Sequence, residues 1–439
     1  MTAVPRLPLA LLLLPALVLA GCSLFKDDKP RLKGERISVL SLDKKLVPDP
    51  ALAQLEIRLP KPVANHDWPD AGGYPNHAMQ HVALGDAPAQ RWEASIGDGS
   101  SRYTHVLAPP VVAGDRLFSL DADYLVRAFD RRNGDRLWEV AAKPEDSGAA
   151  VGGGLAYAGG SVFVTTGYAQ ILALDAKTGR EIWRQSALAP FRGPPTVADG
   201  RVFAVTVDNE LNVFAADDGR RLWTQSGTAE SAGLAGGGSP AVDGDVVVVP
   251  YSSGELFALR VENGRQLWTE SLAAPASADA LSALADIRGG PVIDRGRVFA
   301  VSHSGRMVAI DLRTGARTWE QDIGGTEMPW VAGDYVYVIT NDNNLVCLMR
   351  DDGRVRWVAE LARYEDATAR SGPLTWVGPV LAGDRLIVLA SNGEAMSYSP
   401  YTGRPLGHIK LPDGTFLRPI VADRTLYVLT DDAELIAMK

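Results

Sequence analysis

The stretch Ala173-Leu-Asp-Ala-Lys-Thr-Gly-Arg-Glu-Ile-Trp183 decides how this chain is read. It predicts two short strands joined by a tight turn. Leu172 and Leu174 share a face of the first strand, which Asp175 closes. Lys177-Thr178-Gly179 supplies the turn, with Gly179 free to take a positive φ. The second strand ends on Trp183, a large apolar anchor. Ala309-Ile-Asp-Leu-Arg-Thr-Gly-Ala-Arg-Thr-Trp319 keeps Ala, Asp, Thr, Gly and Trp at the same offsets, and weaker copies run Ala128 to Trp138, Phe214 to Trp223 and Ala258 to Trp268.

Outward from these hairpins the chain divides into repeats. Each opens with a Pro- or Gly-led strand, turns, adds a β-rich strand, turns again, and closes with the hairpin. Pro110, Leu155, Pro195, Pro240, Pro291, Trp330, Pro379 and Pro419 mark the opening strands. Trp92, Trp138, Trp183, Trp223, Trp268, Trp319 and Trp357 recur at steps of 46, 45, 40, 45, 51 and 38 residues. Four strands per unit at this period predict propeller blades, and no 3.6-residue periodicity supports helical repeats. The seventh repeat has Leu406 at the Trp position. The eighth stops at Lys439 without a closing strand. Gln90–Ile96, around Trp92, reads as a closing strand with no repeat before it. Joined, the two ends complete one blade. The fold class is therefore all-β, an eight-bladed propeller over 64–439, closed by its own termini so that no end blade is left with an open edge. The Trp residues read as structural anchors between blades.

Length alone, 439 residues, would suggest two or three domains, a rule that repeat proteins break. A 46% apolar and 22% charged composition is globular. The net charge of −9, with no basic stripe, argues against nucleic acid as a partner. Residues 1–21 read as a signal peptide: Arg6, then an apolar run from Leu7 to Ala20 too short to span a bilayer comfortably. The run ends in Leu19-Ala20-Gly21-Cys22, which resembles a bacterial lipobox with Cys22 lipidated; an ordinary signal peptide with an incidental cysteine is the plainer alternative. Ser23, rather than Asp, after the cysteine implies by the same resemblance an outer-membrane destination. With Cys22 acylated, Cys347 stands alone in Leu345-Val-Cys-Leu348 and reads as a buried small hydrophobe. Residues 22–63 form the tether. Ile37–Leu40 and Leu55–Leu59 are each predicted as a short strand within it. About 40 residues at about 3.3 Å each reach roughly 130 Å.

The pattern Ala-x-Asp-x-x-Thr-Gly-x-x-x-Trp is similar to the docking motif of the pyrroloquinoline-quinone-like propeller repeats. Those repeats occur in quinoprotein dehydrogenases and in the BamB family, lipoproteins of the outer-membrane β-barrel assembly machinery. Lipobox, short tether and a single bare propeller together resemble the BamB family. The dehydrogenases resembled pair adjacent cysteines beneath a quinone, with a carboxylate-held calcium and a catalytic Asp. This chain has no adjacent cysteines and no Cys-x-x-Cys-His. The Asp- and Asn-rich runs Asp121–Asp123, Asp208–Glu210 and Asn341–Asn344 fall at turns, which explains them without a metal. His77 and His81 are spaced to share a helix face, but no third zinc ligand accompanies them. Gly152–Gly154 and Gly236–Gly238 lead into strands, so neither is a phosphate cradle. No catalytic residue, metal or cofactor is expected. A quinoprotein enzyme or a ligand-binding propeller is the alternative.

Two long inter-blade segments, 224–239 and 271–290, flank the fourth blade, so they should emerge side by side on one face of the ring. Tolerated surface insertions are the bland explanation. One helical turn over Ala280–Leu284 is predicted to expose Leu281 and Leu284. The resemblance implies that this pair of loops contacts BamA, the barrel-forming subunit. Leu234 carries over from the family's segment, while its arginine falls on Ala235. Asp286 carries over from an Asp-x-Asp pair whose second member is Arg288 here, a reversal of charge. The resemblance further implies other subunits of the assembly complex and unfolded β-barrel clients as partners, and a lipid-anchored position in the outer membrane facing the periplasm; exposed strand edges or loops would hold an extended client by β-augmentation.

Overall fold

A computed structural model describes residues 46–274 and 284–439 of the chain. Cys22, the signal peptide, the predicted strand at Ile37–Leu40 and most of the predicted turn at Ala280–Leu284 lie outside the described residues. Eight four-stranded antiparallel sheets follow one another as blades. Blades 1 to 7 open, innermost, with Val111–Ala113, Gly153–Ala158, Thr196–Ala198, Ala241–Asp243, Val292–Asp294, Trp330–Ala332 and Trp376–Ala382. Blade 8 combines Ile420–Ala422, Thr425–Leu429 and Glu434–Met438 with Gln90–Ser95 as its outer strand. A small hairpin, Tyr364–Asp366 with Ser371–Pro373, stands between blades 6 and 7.

The middle strands are buried on both faces because each sheet is covered by a neighbour on either side. Val162 to Thr166 and Ile171 to Leu174 are buried without a break, so Val162–Val164 and Ile171–Leu174 run apolar instead of alternating, and the Thr165 and Thr166 hydroxyls bond the Gly193 and Gln170 carbonyls. Outer strands are half exposed, and in each blade the pairing slips by one residue beside the closing anchor: Ala173 faces Trp183, but Leu174 faces Glu181. This bulge re-aims the Trp ring out of its own sheet.

The turn chemistry explains the rest of the motif. Asp175 accepts hydrogen bonds from the Thr178 amide at 2.8 Å and the Thr178 hydroxyl at 2.7 Å. Asp311 does the same with Thr314. Those hydroxyls hold both carboxyls below the usual range. Gly179 lies at φ 74° and donates to the Asp175 carbonyl.

A second reason for that glycine comes from the preceding blade. A Cβ on Gly179 would sit 2.8 Å from the ring of Trp138. Each Trp crosses to the next blade, packs on its turn glycine and donates Nε1–H to the carbonyl just before the turn. Trp138 reaches Ala176 at 3.1 Å, Trp183 reaches Ala216 at 3.0 Å and Trp319 reaches Arg350 at 2.8 Å. Trp92, Trp223, Trp268 and Trp357 reach Arg131, Val261, Leu312 and Pro400 in the same way. The motif is thus a socket for the previous blade's ring and a plug for the following one.

The seam is closed as the sequence predicts. Gln90–Ser95 pairs antiparallel with Glu434–Met438, and Ala89 and Lys439 exchange backbone hydrogen bonds. Trp92 then docks on blade 1 against Gly134. Leu406 also finds its explanation here. In blade 8 the third strand, Glu434–Met438, and the fourth, Gln90–Ser95, are not joined by a hairpin turn, so no socket awaits a ring from blade 7. Leu406 is 56% exposed.

The N-terminal segment departs from expectation. Leu55–Leu59, predicted as a strand, makes no strand pairing. It lies along blade 6, where Arg356 donates to the Leu55 carbonyl and Leu52 is buried. Residues 65–82 then circle the hub once, touching the blades in order. Asn65 bonds blade 8 at Asp423, Trp68 bonds blade 1 at Val112, and Pro69 bonds blade 2 at Tyr157. The Asp70 side chain meets blade 3 at Val197. Pro75, Asn76, Gln80 and Val82 meet blades 4, 5, 6 and 7 at Val242, Ile293, Trp330 and Leu381. Innermost strands have a free edge facing the channel, and this strap answers their N–H and C=O groups. Trp68 is fully buried beneath it.

Candidate functional site

The two long inter-blade loops do meet. Asp286, fully buried, pairs with Arg192 and accepts the Leu234 amide at 2.8 Å. Arg288 donates from Nε to the Ala235 carbonyl at 2.9 Å and pairs with Glu327 at 3.1 Å. Residues from blades 3, 5 and 6 therefore fix the 224–239 loop from below. Ala235 is exposed at its tip, while Leu234 and Arg288 are partly exposed.

The sequence reading placed Leu234, Ala235, Asp286 and Arg288 on one surface. The structure brings all four together but gives them different positions. Asp286 offers no carboxylate to the outside, since its side chain is enclosed by Arg192 and the loop backbone. The charge of Arg288 is opposed within the chain by Glu327, so its partner does not have to be sought across an interface.

Arg192, Glu327 and Arg418 were not singled out from the sequence. A positional signal exists nonetheless: Arg192-Gly-Pro194, Arg288-Gly-Gly-Pro291, Glu327-Met-Pro329 and Arg418-Pro419 all stand just before an opening strand. They stand within four residues of the opening strands at Thr196, Val292, Trp330 and Ile420, and all four gather at the mouth of the channel. Glu327 sits between Arg288 and Arg418, 3.5 Å from the latter. Burial pushes the pKa of Arg418 below the ordinary guanidinium value; Glu327 opposes this and Arg288 adds to it.

Above this cluster the channel opens as an apolar cup of about 330 Å³, lined by Val106, Leu107, Leu234, Val377 and Phe416 among others. Beneath the cup a space of about 80 Å³ ends on Ala71 of the strap. Gly236–Gly238 pass along this inner space. A Cβ on Gly237 would meet Arg192 at 2.7 Å, and one on Gly238 would meet the Gly290 backbone at 2.5 Å. Close packing accounts for Gly237 and Gly238, and a φ of 76° accounts for Gly236.

The histidines weighed as zinc ligands are held in the strap. Burial pushes His77 down to about 4, so its ring is neutral at pH 7. Nδ1–H donates to the Pro291 carbonyl at 2.7 Å, leaving Nε2 to accept from Ser239 at 3.2 Å. His81 faces the Pro60 carbonyl through Nδ1 and accepts the Asp384 amide at Nε2. Both nitrogens of each ring are occupied. Among the described residues no group of three or more His, Cys, Asp or Glu is placed to hold a metal. Cys347 is fully buried, which drives its thiol pKa well up. The acidic runs form turns between second and third strands, with Asn209 at φ 61° and Asn343 at φ 56°.

The family model described as outer membrane protein assembly factor BamB matches residues 82–149 and 122–359. The Salmonella typhimurium protein of that name is 29% identical over 357 residues, 80% of this chain and 88% of the relative. The Escherichia coli protein is 29% identical over 351 residues, 79% of this chain and 87% of the relative. The crystal structure of BamB from Moraxella catarrhalis superposes with a TM-score of 0.68 at 19% identity, covering 80% of this chain and all of the other. The quinohemoprotein alcohol dehydrogenase of Comamonas testosteroni gives 0.65 at 14% identity over 85% of this chain and 80% of its own, a likeness of fold alone. A match running from the strap through blade 6, on a ring built of docking-motif blades, settles the family: the chain belongs to the outer membrane protein assembly factor BamB family.

Proposed function

We propose that this chain is a non-catalytic scaffold of the outer-membrane β-barrel assembly machinery. In this reading Cys22 carries the lipid that holds the propeller at the outer membrane, facing the periplasm, with residues 1–21 as signal peptide and 22–63 as tether. The loop face beside blade 4 docks on BamA, through Leu234, Ala235 and the exposed part of Arg288. Asp286 acts from beneath, by holding the Leu234 backbone in place. Other subunits of the complex and unfolded β-barrel clients are the remaining partners.

The observation that carries the reading is the buried Arg192–Asp286–Leu234 junction. It joins two loops from separate blades into one pre-ordered surface, and ordering a loop in advance removes part of the entropy cost of binding. The test is a mild-detergent pull-down of the tagged chain from outer membranes. BamA should be recovered with it, and a Leu234→Asp variant with unchanged melting temperature should lose BamA. Recovery of BamA undiminished by that variant would place the docking surface elsewhere.

A further inference from the structure

The 224–239 loop is bonded to two neighbours on its own face of the ring. Near its start, Asn209 donates from Nδ2 to the Thr228 carbonyl at 2.6 Å, and the Gly227 amide donates to the Asn209 carbonyl at 2.8 Å. This ties the loop to the 206–209 turn of blade 3. Near its end it abuts the 187–195 segment between blades 2 and 3. A Cβ on Gly193 would sit 2.2 Å from the Gly237 carbonyl oxygen, and Arg192 reaches the Leu234 carbonyl at 3.4 Å. The two neighbours are joined in turn, since the Val207 amide donates to the Pro190 carbonyl at 2.8 Å and Phe191 is fully buried beneath. On this fixed base Leu188 is 90% exposed and Val207 43% exposed. A lone exposed apolar side chain is ordinary, but these two stand beside Leu234 and Ala235 on bonded segments and extend the same apolar surface. Charge here is one-sided. Asp208 and Glu230 are exposed. Arg192 is the only Lys or Arg in 187–195, 206–209 and 224–239, and it is buried against Asp286.

We propose that the docking face continues from the 224–239 loop over 187–190 and 206–209, and that the part of BamA seated there is an apolar ridge flanked by Lys or Arg side chains. Leu188 and Val207 meet the ridge, and Asp208 and Glu230 meet the flanking cations. The inference rests on the docking reading and deepens it, by adding two segments and the charge of the partner's contact surface. Area argues for the extension. A stable interface covers about 800 Å² per partner, roughly 20–30 residues. Leu234, Ala235 and the exposed part of Arg288 supply only a fraction of that, so the partner must lie over what adjoins them. Apolar burial sets the strength of such a contact, while opposite charge at its rim speeds the encounter.

The test immobilises the full chain through a tag in mild detergent and follows binding of full-length BamA from the same organism by biolayer interferometry. Leu188→Ala should weaken binding about tenfold, chiefly through faster dissociation. Its melting temperature should not change, because the side chain supports nothing in the fold. Asp208→Lys combined with Glu230→Lys should slow association about tenfold at about 0.05 M salt and have little effect at about 0.5 M. Leu137→Ala is the control: Leu137 is 45% exposed on the outer strand of blade 1, and its variant should bind as the unaltered chain does. Undiminished binding by Leu188→Ala would overturn the proposal, as would an unchanged low-salt association rate for the charge-reversed variant. In both cases loss of binding by Leu234→Asp would leave the docking reading standing. Absence of binding by the unaltered chain would overturn that reading, and this inference with it.

Discussion

If each motif glycine is a socket for the ring of the blade before it, the two positions must be energetically coupled. The pair Trp183 and Gly219 tests this. Trp183 is 8% exposed, donates Nε1–H to Ala216 at 3.0 Å, and its ring would stand 2.7 Å from a Cβ on Gly219. Trp183→Ala should cost about 3–5 kcal/mol, the range for emptying a large aromatic site. Gly219→Ala carries two penalties. One is the positive φ of 73°, at about 1–2 kcal/mol. The other is the clash with the ring, at about 1–3 kcal/mol. In the double variant the clash disappears while the φ cost stays. The double variant should therefore be more stable than the sum of the singles by about 1–3 kcal/mol, a coupling of the size seen between touching residues. Gly114→Ala is the control, since Gly114 lies at φ 59° with nothing within 4 Å of its Cβ position. It should lose only the φ cost, with or without Trp183. The assay is equilibrium denaturation followed by far-ultraviolet circular dichroism. Strict additivity of Trp183→Ala and Gly219→Ala would refute the socket.

Asp286→Ala strands Arg192 in the hub and should destabilise by about 3–5 kcal/mol; limited proteolysis should show faster cutting between 224 and 239, and an unchanged cutting rate would contradict the junction. Leu406→Trp should change stability by less than about 0.5 kcal/mol, because blade 8 offers no turn glycine or carbonyl to receive the ring; a gain approaching the Trp183→Ala loss, read in the same denaturation assay, would mean that a socket exists. Asp431 has its pKa raised to about 6 by burial and Asp413, so the folded state holds its proton more tightly than the unfolded chain does. Its contribution to stability is full below about pH 4 and is lost as pH rises through about 6. Asp431→Asn should flatten that part of the stability profile, and an identical profile for the variant would remove the assignment.

Much of this architecture was legible without coordinates. The Trp spacing set the blade count, and the orphan strand at Trp92 matched the strand missing after Lys439. These features are legible because each depends on residues close in sequence and repeated seven or eight times. The strap was not legible. Asn65 to Val82 has neither period nor alternation, since its partners are mostly single backbone groups on successive blades, and backbone groups leave no mark in a sequence. Asp286 read as an exposed carboxylate for the same kind of reason: the groups that enclose it, Leu234 and Arg192, lie 52 and 94 positions away.

The sequence by itself determined the fold class, the closure of the ring and the two loops that stand beside blade 4, because local turn chemistry and a repeated apolar anchor are written in contiguous residues. Only the tertiary structure decided which blade each Trp enters, that residues 65–82 shut one end of the hub, and that Arg288, Glu327 and Arg418 share the other. Those outcomes depend on bringing segments of different blades to a common axis, and distance along the chain carries no record of that convergence.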